Sequence, residues 1–116
     1  MRAPILSLAL APLLMAAANP DDFGDAQCLI AYGQLGSSED AATRTAGLIG
    51  AQYYLGRLDG RGAASDLRGL LKQAGEAMKP ADLKPTLDRC GARLQQRTQA
   101  LQAVGQALAK EAPAIQ

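Results

Sequence analysis

LKPTLDRCGARLQQRTQALQAVGQALAK, from Leu83 to Lys110, decides the fold. Leu83, Leu87, Cys90, Leu94, Leu101 and Leu108 recur at spacings of 3, 4 or 7, the repeat of one face of a helix. Pro85 suits a first turn, where its missing N–H is no loss, and Pro80 suits the approach to it. Ala112-Pro113 closes the helix. A helix this long needs neighbours to cover its apolar face, and the rest of the chain supplies candidates.

Three shorter helices are expected upstream. Asp25 to about Leu35 carries Cys28, Tyr32 and Leu35 on one face, after a short lead from Asn19 to Gly24. Gly36-Ser37-Ser38 stops it. The second runs from about Ser38 to Leu58, capped by Ser37 or Ser38, with Leu48, Ala51, Leu55 and Leu58 as its apolar stripe. Gly47 and Gly50 each cost that helix about 1 kcal/mol relative to alanine. Beside Ala46 and Ala51 they form a small-residue patch, which predicts a close helix crossing there. The third spans about Ala63 to Met78, with Leu67, Leu70, Leu71, Ala74 and Met78 inward and Arg68, Lys72 and Glu76 outward. The fold class is therefore all-α, a small four-helix domain stapled by one disulfide.

The first twenty residues, MRAPILSLALAPLLMAAANP, have one early charge, an uncharged apolar run with Pro4 and Pro12, and the small residues Ala16-Ala17-Ala18. That pattern is a signal peptide over residues 1–18, cleaved to leave a single helical domain over 19–116. The run is short of the roughly 20 apolar residues of a membrane span, so no span is expected after processing. The reading places the protein in the periplasm or outside a bacterial cell. Cys28 and Cys90 are the two cysteines, and an exported chain with an even count oxidises them. A loop that long gives the cross-link about 4 kcal/mol in chain-entropy terms.

Charge and chemistry exclude much. Without Arg2, eleven basic residues balance eleven acidic ones, so the domain has no general pull toward nucleic acid. The chain has no histidine, hence no Ser-His or Cys-His pair and not the usual base near neutral pH. Phosphate-binding and dinucleotide motifs are absent. LDGRGAASD lacks the alternating oxygen ligands of a calcium loop. Asp59 and Asp66 could converge as an acid–base pair, but each also reads as a helix-end residue. No catalytic residue, metal site or cofactor is expected, and the protein is read as a non-enzyme.

Two features could bind a partner. YYLGRLDGRG, Tyr53 to Gly62, reads first as a helix end, with Leu55 and Leu58 in the core, Gly60 in the left-handed position after the helix, and Arg57 complementing the helix terminus. Its second reading is a binding edge of Tyr54, Arg57 and Arg61, residue types enriched in interface hot spots. Arg89, Arg93 and Arg97 lie at spacings of 4 along one ridge of the last helix. They are either a solvated face or the seat of an anionic ligand or an acidic partner. Residues 21–40 hold five acidic side chains and no basic one, so the acidic front could pair with the basic back within the fold.

Cleaved signal, Cys28 early in the first helix, the Y-Y-x-G-x-x-x-G segment from Tyr53 to Gly60, and Cys90 in a helical domain together resemble small periplasmic disulfide-containing helical proteins of the HdeA-like acid-stress chaperone type. Less closely, they resemble small periplasmic immunity proteins. The resemblance implies a stress chaperone or holdase that exposes apolar surface, or alternatively a dedicated inhibitor or immunity protein for one toxin or enzyme. The wide cysteine spacing, the long helix after Cys90 and the absence of tryptophan depart from the first pattern.

Overall fold

The computed structural model describes residues 19–111, so the expected signal peptide at 1–18 lies outside the described residues. Four α-helices occur among them and no strand: α1 (Pro20–Leu35), α2 (Ala41–Gly60), α3 (Leu67–Glu76) and α4 (Leu83–Glu111). Short 3-10 turns at Ala63–Asp66 and Pro80–Asp82 lead into α3 and α4. The chain is all-α, as expected.

Helix boundaries follow their caps. α1 begins at Pro20, so the expected lead from Asn19 to Gly24 is instead its cap and first turns. The Asn19 side chain accepts from the Asp21 N–H at 2.9 Å, Pro20 occupies N1, and Asp21 and Asp22 complement the positive helix end. α2 begins later than Ser38 because Asp40 is the stronger cap. Its carboxylate accepts from the Thr43 N–H at 2.9 Å and the Thr43 hydroxyl at 2.7 Å. Both bonds favour the ionised form and hold the Asp40 pKa below its ordinary value. At its other end α2 continues through Gly60. The left-handed residue is Gly62, at φ 74°, and not Gly60. That extension keeps Arg57 and Arg61 one helical turn apart on the same face.

α1 is the central helix and packs against the other three. Its closest neighbour is α2, and the small-residue patch explains why. Gly47 and Gly50 are buried. A Cβ on Gly47 would sit 2.6 Å from the Leu35 carbonyl carbon, and one on Gly50 would sit 2.6 Å from Tyr32 Cε1. The Tyr32 ring thus lies where a side chain on Gly50 would be. This approach rotates α2 relative to the expected stripe. The inward face is Gly47, Gly50, Tyr54 and Leu58, and Leu48 turns outward with 53% of its surface exposed.

The core is built around Cys28, Tyr32, Tyr54 and Cys90, flanked by residues that include Leu29, Leu35, Leu87 and Leu94. Cys28 and Cys90 form the expected disulfide, with Cα atoms 5.7 Å apart, and it joins α1 to α4. α3 keeps its expected amphipathic face, with Ala74 buried. The stripe of α4 is inward only as far as Leu94. From Gln95 to Glu111 every residue is exposed. Length explains this: the 29 residues of α4 span about 43 Å and the 16 of α1 about 24 Å, so α4 overshoots the helix that covers it. No helix among the described residues is long and apolar enough to cross a membrane.

Candidate functional site

The segment from Tyr53 to Gly62 is divided between core and ion pairs. Tyr54 is completely buried. Its hydroxyl donates to the Cys90 carbonyl at 2.6 Å, and its ring stacks on Tyr32 with centroids 5.9 Å apart. Tyr53 meets it edge-on at 4.9 Å. Burial, then the neighbouring tyrosines, push the Tyr54 pKa up to about 12. The expected binding edge therefore loses its aromatic member: Tyr54 faces inward because the glycine face of α2 faces α1. Tyr53, at about 100° from it around the helix, is the partly exposed tyrosine.

Arg57 and Arg61 reach across to α1. Arg57 Nε donates to Asp25 at 2.9 Å, and Arg61 donates to Asp25 at 2.5 Å and to Asp22 at 2.7 Å. Asp25 is buried, with both arginines on the same carboxylate oxygen. Burial is the largest single effect on Arg57 and works against its charged form, but the bond to Asp25, the Asp25 charge and Tyr53 together outweigh it and raise the pKa. Hydrogen bonds to Asp25 and Asp22 raise that of Arg61. This network is the internal pairing of acidic front with basic back, and it ties the start of α1 to the end of α2. The burial of Asp25 was not foreseen. The signal for it was the pair of arginines at i, i+4 facing an acidic cluster.

Asp66 caps α3, accepting from the Gly69 N–H at 3.2 Å, and Asp59 is exposed on α2. Both therefore have the helix-end roles foreseen for them. Among the described residues no group of three or more His, Cys, Asp or Glu gathers to hold a metal ion.

Arg89, Arg93 and Arg97 are exposed on α4, and none is in an ion pair among the described residues. The ridge runs from the body of the fold outward. Arg89 Nη1 lies 3.5 Å from where a Cβ on Gly24 would stand. Arg93 is near enough to Tyr54 for its charge to oppose the rise in that pKa. Arg97 lines a groove of about 270 Å³ with Tyr53, Leu94, Thr98 and Leu101. Beyond it Leu101, Val104 and Leu108 are exposed on the free half of α4, and Leu48 and Ile49 are exposed on α2. A second groove of about 370 Å³, between α1 and the α3–α4 connection, is lined mainly by Ile30, Met78, Pro80 and Leu83.

The exposed surface at and beyond the place where α4 leaves the body is thus apolar and basic. The fold and this surface define a disulfide-linked helical domain with one protruding amphipathic helix. No protein-family profile, curated protein or solved structure matches the chain.

Proposed function

We propose that this is a non-catalytic, exported binding protein that holds apolar segments of other proteins, in the manner of a periplasmic holdase. The observation that carries the reading is the exposure of Leu101, Val104 and Leu108 on a helix that has outrun its covering neighbours. Exposed apolar rows of this kind are where soluble proteins contact partners. A client segment laid along α4 would bury these side chains and gain about 1.5–3 kcal/mol for each one fully covered. Arg93 and Arg97 beside the row would favour clients with acidic flanks. Cross-linked capture by the tagged protein in its own periplasm, read by mass spectrometry, tests this. Many clients, reduced by L101D/V104D/L108D, are expected. Equal capture by that variant removes the reading.

The second reading is an inhibitor or immunity protein that binds one acidic partner on the ridge. It is favoured by three exposed arginines, Arg89, Arg93 and Arg97, that have no ion pair among the described residues. One dominant partner at fixed stoichiometry, lost in R93E/R97E, would establish it over the first.

A further inference from the structure

α4 carries a seven-residue repeat. Leu87, Leu94, Leu101 and Leu108 occupy one position, and Cys90, Arg97, Val104 and Glu111 the position three residues on. These are the a and d positions of a coiled-coil seam. The first heptad is inside the fold, where Cys90 is buried and Leu87 and Leu94 pack against the core. The remainder faces solvent, with Leu101 71% exposed and Val104 and Leu108 more than half exposed. At the junction, Leu94, Arg97, Thr98 and Leu101 stand at i, i+3, i+4 and i+7. Those four positions form the hole that receives one knob from a facing helix. They are also the α4 lining of the 270 Å³ groove, with Tyr53 as the remaining wall.

We propose that the knob is Leu108 of a second copy of this chain, and that the free halves of α4 pair antiparallel. Charge decides the direction. A parallel pair would set Arg97 against Arg97 and Glu111 against Glu111. An antiparallel pair brings each Arg97 within one helical turn of Glu111 of the other copy, twice by symmetry. Lys110 is the only other charged residue from Gln95 to Glu111, so little repels the approach. Burial decides the register. Leu108 in the hole places Leu101 opposite Val104 in both directions and ends the contact at Leu94. Sliding one heptad inward would require Leu87 and Cys90, which the fold already covers, and sliding outward leaves the hole empty.

The paired segment is about 27 Å long and each helix about 10 Å wide. The contact is small beside the roughly 1,200 Å² of a stable interface, so the dissociation constant of the dimer is micromolar or weaker. Its formation does not depend on any client. A dimer without clients would sink the proposed function alone, and clients without a dimer would sink the pairing alone.

Sedimentation velocity of the disulfide-bonded protein, purified from the periplasm of an expression host, tests the proposal over a concentration series from about 1 μM to about 1 mM, chosen to bracket such weak pairing. The mass is expected to rise from monomer to dimer. R97E and E111R should each move the midpoint upward at least about tenfold, and R97E/E111R should return it to within about threefold of the parent. Both residues are exposed, so far-UV circular dichroism should stay unchanged in all three variants. A monomer throughout overturns the pairing. A dimer that R97E strengthens, or that the double variant fails to restore, overturns the antiparallel register.

Discussion

Asp25→Ala removes the one carboxylate that holds both Arg57 and Arg61. The Asp25 side chain is 6% exposed, and the arginines are 26% and 30% exposed. Removing one partner of a fully buried pair costs about 3–5 kcal/mol, because the remaining charge stays buried and unmatched. Here both guanidinium groups can turn partly toward water, and Arg61 keeps Asp22. The expected loss is therefore nearer about 2–3 kcal/mol. For a domain of this size 1 kcal/mol moves the melting temperature by about 4–8 °C, which makes the shift on the order of 15 °C. Thermal unfolding followed by circular dichroism on oxidised protein measures it. Asp25→Asn should fall between, because the amide can still accept one bond. The coupling to Arg57→Met in a double-mutant cycle should exceed about 1 kcal/mol. A loss below about 0.5 kcal/mol for Asp25→Ala would refute the assignment of these arginines to the fold and return them to the list of free binding residues.

Glycine substitutions on α2 should separate by face. Gly50→Ala drives a methyl group into the Tyr32 ring and should lose about 1–3 kcal/mol by overpacking, whereas Gly56→Ala, with nothing within 4 Å, should gain about 0.5–1 kcal/mol in the same urea titration. Cys28→Ser should lower stability by about 4 kcal/mol under oxidising conditions, and the parent should match it once reduced. Alkaline unfolding should report Tyr54. Its folded pKa is raised from 10.0 to about 12, so its contribution is complete below pH 10 and is lost as pH rises toward 12, on the order of 2 kcal/mol in all. Tyr54→Phe should flatten that part of the pH profile.

The local features of the fold were legible where a residue type has one physical use. The leucine and cysteine repeat marked α4, Asp66 marked the start of α3, and the Gly47 and Gly50 pair announced a close helix crossing, though not that α1 is the helix that crosses. Cys28 and Cys90 could be paired because no third cysteine competes. What escaped depends on relations between helices. The glycine face that permits close approach must itself point inward, and this turns Leu48 out and Tyr54 in. An apolar stripe alone cannot convey that rotation. Asn19-Pro20 and Asp40 are readable caps, yet each competed with a plausible alternative nearby. The periodicity of α4 continues past Leu94 without change, so only the length of α1 reveals where the cover stops. For the same reason Arg57 and Arg61 could not be separated in advance from Arg89, Arg93 and Arg97. The first two find carboxylates on α1, and the other three do not among the described residues.

The central claim is that the free half of α4 binds apolar segments. Light scattering during aggregation of a heat-unfolded client enzyme tests it most directly, with the parent protein and L101D/V104D/L108D compared at equal concentration. At concentrations low enough to leave α4 unpaired, the parent should suppress scattering in proportion to its concentration, and the variant, folded by circular dichroism, should lose most of that effect. Equal suppression by both, or none by the parent, would contradict the claim.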